Sequence, residues 1–485
     1  MKAAFRAVIG VCAGSCILVA VPALALTLTQ AISLARQGDP AYLTAHANVL
    51  AARGRADQAF GATLPQLSAS LSTNGNRRAY ETLDSPIPPA NDGYNSNSAT
   101  INLTFPLYRR AGAIAVNQSE TAYLQMREQL AAAEQDLFVR LAQAWFDWML
   151  ARDMLLCAEG QSLAMRNQSE QYAYAVKVGL VAGPVAEEAR SKYDQALAEQ
   201  LVAESEQHVK LAALEQVIGV QPSIRPPALA DSYLFDSARL ELSERLWPDA
   251  QRAQRQQNSL AQWLARAEAQ SPMILAAKRG LEAAEDEISK QRAGHHPTAD
   301  LVGSYGKNGQ RAGSFPGQNG YDIKQRVIGI QINIPLLAGG SVGAKVDEAV
   351  ALREKARQEL ELARRNVRMA GKQAWFGFQS GEARRTASEQ AVKFARVSLL
   401  SAEAGKRNDL NSALDVLQVR QQLLNSLRDV QRARYETITS HFKLLASIGR
   451  LRAADLAALD AVLTDKPEDA SLLREARLAP LVPSP

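Results

Sequence analysis

The chain has 485 residues, 47% of them hydrophobic, and a formal net charge of +5. Its Lys/Arg and Asp/Glu residues alternate along the sequence, which describes solvated helix faces and excludes a basic nucleic-acid patch. Three cysteines, two of them within the first 16 residues, exclude a disulfide framework.

Lys2 and Arg6 precede an apolar run from Ala7 to Leu24, and Ala23-Leu24-Ala25 is a small-x-small cleavage triplet. Residues 1–25 therefore read as a secretory signal peptide. An uncleaved anchor and a lipidated Cys16 are the alternatives. The cleavage triplet weighs against the first, and Ala13-Gly14-Ser15, which lacks the usual leading leucine, against the second. Beyond this stretch no run of about 18 apolar residues occurs, so the mature chain has no apolar helix of membrane-spanning length.

Residues 26–222 form a first repeat: a helix, two strands and a helical hairpin. Leu67, Ala69 and Leu71 alternate with Ser68, Ser70 and Ser72, and Ile101, Leu103 and Phe105 with Thr100, Asn102 and Thr104. Period-2 alternation predicts two amphipathic strands of about 9–10 residues, joined by a Gly/Asn/Ser/Pro-rich loop over 77–97. Residues 113–177 and 185–218 are Ala/Leu/Glu/Gln-rich and suit long helices. Cys157 lies in the first and reads as a small buried residue.

A Pro-containing connector, 223–255, leads to a second repeat over 256–448. HPTADLVGSYGKNG (296–309) answers LPQLSASLSTNGN (64–76), and IQINIPLLAGGS (330–341) answers INLTFPLYRRAG (101–112). EAGKRNDLNSALDVLQVRQQL (403–423) stands where KVGLVAGPVAEEARSKYDQAL (177–197) does. The period-2 rows here are Leu301, Gly303, Tyr305 and Ile328, Ile330, Ile332, Ile334, with a loop over 309–325; helices are predicted over 258–292, 342–404 and 412–448. Pro106 and Pro335 close the second strand of each repeat, and Gly339-Gly340 allow a sharp bend into the helix that follows. The tail, 449–485, ends LAPLVPSP and is expected to drape loosely.

His295-His296 mark a helix-to-strand junction with no third metal ligand nearby. Gly339 to Lys345 lacks the residues a phosphate loop needs around its lysine. No nucleophile–base pair, catalytic carboxylate pair, metal set or cofactor fingerprint stands out, so the chain is expected to be no enzyme and to carry no cofactor.

Amphipathic strands in an exported chain point to a transmembrane barrel, aliphatic side to lipid and Ser/Thr/Asn/Gln side to water. Four strands cannot close in lipid, so copies must assemble: two give a filled barrel of about 8 strands, three an open lumen. Helices of 60 or so residues reach about 90 Å and must project into the periplasm. The fold class expected is a mixed, mostly α membrane protein with an internal duplication.

LTLTQAISLARQGDPAYLTAHANVLAARGRADQAFGATLPQLSAS (26–70), VGLVAGPVAEEARSKYDQALAEQ (178–200) and SALDVLQVRQQL (412–423) resemble the TolC family of outer-membrane efflux and secretion channels. The resemblance covers about 26–450 and includes the duplication. It implies a homotrimer sharing a twelve-stranded outer-membrane β-barrel, four strands per protomer, continued by a long periplasmic α-helical barrel. Implied partners are a periplasmic adaptor, an inner-membrane ABC or proton-driven transporter, and outer-membrane lipid. The hairpin tips that would dock the adaptor map to Val178, Gly179, Leu180 and to Gly405, Lys406, Arg407, with turns at 178–180 and 404–406, and the periplasmic constriction to Asp415 and Gln418. Gly179 and Gly405 are expected to supply positive φ, and residues 406–411 look like an insertion in the second tip. The function implied is a passive exit duct, with type I protein secretion preferred over small-molecule efflux; a non-conducting coiled-coil scaffold is the alternative from another class.

Overall fold

A computed structural model describes residues 27–80, 90–219, 259–312, 319–408, 410 and 413–464. The expected signal peptide and connector fall outside the described residues. The elements run α1 (Leu28–Gly38), α2 (Pro40–Gly61), β1 (Gln66–Tyr80), β2 (Ala90–Tyr108), α3 (Arg110–Lys177), α4 (Gly183–Ile218), α5 (Ser259–Gln270) and α6 (Pro272–Arg292). They continue β3 (Thr298–Gln310), β4 (Tyr321–Asn333), α7 (Ser341–Arg407), α8 (Ala413–Ser447) and α9 (Ala453–Thr464).

Local chemistry sets the starts. Thr27 and Gln30 exchange side-chain-to-backbone hydrogen bonds in a capping box at α1. Asp39 caps α2, accepting from the Ala41 and Tyr42 N–H groups at 2.7 and 3.0 Å, with Pro40 in the first turn. Arg140 of α3 reaches the other Asp39 oxygen at 2.7 Å, so one buried carboxylate stops α1, starts α2 and ties both to α3. Burial pushes that carboxyl up. The hydrogen bonds from Arg140, Tyr42 and Ala41 outweigh burial and hold it below its ordinary value.

The main core joins α1, the middle of α3, the ends of α4 and α8, and α9: Leu28, Leu137, Phe138, Trp148, Leu214, Phe442 and Leu456 are all buried. Three expectations need correction. Residues 258–292 are two helices, because Ser271-Pro272 interrupts the ladder. The tail does not simply drape: α9 docks with Leu456 and Leu459 buried, and Gln135 grips the backbone of Leu451 through both N–H and C=O. The strands are 13–19 residues long, so both ends of the predicted loops over 77–97 and 309–325 are sheet. Ser, Asn and Gly there pair across strands, as in Asn76 Nδ2 donating to Ser96 Oγ at 2.9 Å. Among the described residues no helix is long and apolar enough to cross a membrane.

Candidate functional site

The four strands form one antiparallel meander in the order β1-β2-β3-β4. Its register sorts side chains by face, since neighbours directly across a ladder point the same way. Leu67–Leu103–Gly303–Ile328 is one row, Ala69–Ile101–Tyr305–Arg326 the next, and Phe105–Leu301–Ile330 lies below them. The opposite face carries Ser68–Asn102–Ser304 and Ser72–Ser98–Asn308, with Ser98 Oγ 2.6 Å from Asn308 Oδ1. Among the described residues nothing covers the aliphatic face: Leu71 and Ile328 are 83% and 80% exposed. The outer edges of β1 and β4 have no strand partner within the described sheet.

The two strand-to-helix joints differ. In the first, β2 runs through Pro106 to Tyr108 with a bulge between them against β3, so Pro106 does not end the strand as expected. Arg109 alone separates β2 from α3, its guanidinium on Asp300 of β3 through Nε–Oδ1 (2.8 Å) and Nη2–Oδ2 (2.7 Å). In the second, β4 ends at Asn333, Pro335 lies two residues beyond, and Gly339 and Gly340 take φ of +56° and +77° before α7 begins. A short, clamped joint faces a long, glycine-hinged one.

At the first tip, Val178, Gly179 and Leu180 form the turn, Gly179 at φ +79°. Leu180 N–H donates to Ala175 C=O at 2.8 Å and Gly179 N–H to Val176 C=O at 3.1 Å, the double bond pattern of a Schellman cap. The second tip is displaced from its expected place. Gly405, Lys406 and Arg407 are the last residues of α7, and Gly405 has no positive φ. Asn408 caps the helix, and Leu410 N–H donates to Gly405 C=O at 2.9 Å. Gly405 thus corresponds to Ala175 and Leu410 to Leu180. The helix ends agree: α3 and α7 stop at 177 and 407, α4 and α8 start at 183 and 413. The apparent insertion at 406–411 therefore vanishes. A leucine at the same cap position in both tips, 78% and 80% exposed, is what the shifted alignment hid.

Asp415 and Gln418 are both exposed and, three apart on α8, share a face. Asp415 lies in the first turn of α8, where the helix dipole favours an acid. By the agreement of the helix ends they correspond to Val185 and Glu188 of α4. Arg420 and Glu403, at 3.1 Å, tie α8 to α7 just behind them. Cys157 is buried, and its thiol is pushed up to about 12 by burial and then by the nearby Asp153 charge. His295 closes a single 3₁₀ turn, and the His296 N–H caps it. Among the described residues no three His, Cys, Asp or Glu side chains gather as a metal site would require.

The family model described as "Outer membrane efflux protein" matches residues 31–220 and 263–450, in both repeats. Outer membrane protein TolC of Vibrio cholerae is 28% identical over 437 residues, covering 90% of this chain and 93% of the relative. The proteases secretion protein PrtF of Dickeya chrysanthemi is 24% identical over 374 residues, 77% of each chain. In structure, the outer membrane protein VceC of Vibrio cholerae superposes with a TM-score of 0.66 at 20% identity, over 87% of this chain and 96% of its own.

Proposed function

The chain belongs to the outer membrane efflux protein family, and on that premise we propose that three copies form the outer-membrane exit duct of a type I protein secretion system. That it is an outer-membrane channel of the tripartite export kind follows from the family. The finer reading concerns cargo, partners and copy number. The observation that supports the copy number is the open four-stranded sheet, bare on its aliphatic face and unpaired at both edges among the described residues, with two long hairpins leaving one end. Such a sheet is stable in lipid only when neighbouring copies close it. Three copies supply twelve strands, enough for a lumen, whereas two would fill their own interior.

The transporter and adaptor supply energy and cargo, and the duct supplies a path. In this reading the adaptor grips the hairpin tips at Val178, Gly179 and Leu180, and at Gly405, Lys406 and Arg407 with the neighbouring Leu410. Asp415 and Gln418 line the periplasmic constriction. Protein cargo is preferred because a relative named for protease secretion matches along 77% of the chain. Small-molecule efflux is the second reading, favoured by the description of the family itself.

Deletion of the gene, followed by comparison of secreted proteins and of drug susceptibility, separates the two. Loss of one or a few large proteins from the medium, with unchanged susceptibility, is the expected result. A broad rise in susceptibility with an intact secretome would overturn the preference for secretion.

A further inference from the structure

The lipid-facing side of the sheet is not apolar throughout. Above the Leu67–Leu103–Gly303–Ile328 row the same face carries Arg326, then Lys307 and Lys324 directly opposite one another across β3 and β4. Like charges at directly opposed positions repel and weaken a strand pair unless something negative lies between them. Asp322, one row further out, reaches Lys307 at 3.0 Å. It is one carboxylate among three cations, and Lys324 has no ion-pair partner among the described residues. Arg326 lies over the Tyr305 ring at 5.4 Å, its guanidinium held along the same surface.

Depth identifies what meets these cations. Both long-helix joints are at the opposite end of the sheet, so the cationic rows belong to the outer leaflet. From Ile334, the exposed apolar residue just past β4, Arg326 is eight residues along the chain and Lys324 ten. At about 3.3 Å per residue and a tilt of about 40° these are heights of roughly 20 and 25 Å. The apolar band of an outer-membrane barrel is about 25 Å tall, so the cations lie at its upper rim, where lipid headgroups begin. Beside Lys307 lies a shallow groove walled by Leu71, Thr73, Asn97 and Ala99, apolar below and polar above, with the Asp322 carboxylate over Gly309 at its upper edge.

We propose that Lys307, Lys324 and Arg326 form a binding site for the phosphorylated headgroup of an outer-leaflet lipid, with the phosphate between the two lysines and an acyl chain along the Leu71–Ala99 groove. The site is independent of what the duct carries. A cation near a charged lipid surface contributes about fivefold in affinity, so removing all three should weaken binding of order 100-fold.

The test uses the purified, detergent-solubilised full-length oligomer and native mass spectrometry. Its probes are bisphosphorylated lipid A, the same lipid dephosphorylated, and inorganic phosphate. The wild-type oligomer should retain the bisphosphorylated lipid and not the dephosphorylated one. The triple variant Lys307→Gln/Lys324→Gln/Arg326→Gln should lose it, and the charge-preserving Lys307→Arg/Lys324→Arg should keep it. Asp322→Asn should tighten binding severalfold, which a misfolded variant could not do. Equal retention of both lipids by the wild type, or binding by the triple variant within twofold of wild type, would overturn the proposal. Displacement of the lipid by millimolar inorganic phosphate would also overturn it, by assigning a free-anion site instead.

Discussion

His441 of α8 packs against Phe378 of α7, ring centroids 5.6 Å apart, and burial pulls its pKa down to about 4. It is therefore neutral in the folded chain across the physiological range, while in the unfolded chain it titrates near 6.5. Well above pH 6.5, beyond about pH 7.5, neither state is appreciably protonated and the group contributes almost no pH dependence. As pH falls from 6.5 towards 4 the unfolded state binds a proton that the folded state refuses, and stability is lost. Between pH 7 and pH 5 this amounts to about 2 kcal/mol for each copy. Denaturant titrations at the two values should show that difference in the wild type and a smaller one in His441→Gln; equal slopes would remove His441 as the cause. Cys157, the cysteine expected to be a buried small residue on a helix, is buried in α3.

At the scale of elements the chain is two hairpins built to nearly one pattern: α3 and α7 have 68 and 67 residues, α4 and α8 have 36 and 35. Each tip presents one leucine from the same cap position, held out by the 6→1 hydrogen bond beneath it. Burying a leucine side chain is worth about 1.5–3 kcal/mol, so Leu180→Ser or Leu410→Ser should weaken adaptor binding about tenfold or more. Purified adaptor on immobilised duct checks this, and circular dichroism should be unchanged because neither side chain packs on its own hairpin. The helices and aliphatic strand rows were legible in the sequence because their periods are set by burial. The rest was hidden for physical reasons. Residues 73–80 and 90–98 are rich in Asn, with Gly, Asp, Ser and Arg among them, residues of little strand propensity, and the register imposed by their neighbours makes them sheet. The second turn does not fall at the glycine that signals it in the sequence: the hydrogen bonds from Asn408 and Leu410, neither of them glycine, close it beyond Gly405. The docking of α9 depends on a surface assembled from four other helices, which no local pattern announces.

For the whole molecule, Asp415 gains its meaning from symmetry. One exposed acid in the first turn of a helix is an ordinary stabilising feature. Three converging on the axis of the proposed trimer would concentrate negative potential at the proposed constriction. Asp415→Ala should raise single-channel conductance in planar bilayers and lower sensitivity to blocking cations severalfold; unchanged values of both would place the residue away from the narrowing. The unpaired outer edges of β1 and β4 carry a genetic consequence. In the proposed ring every copy would depend on two neighbours for its edge hydrogen bonds, so one chain with a damaged edge would spoil the ring it enters. In a cell making damaged and sound chains equally, only about one ring in eight would be wholly sound if three copies close it at random. Lesions in these edge strands should therefore behave as dominant, and lesions confined to the hairpin tips as graded.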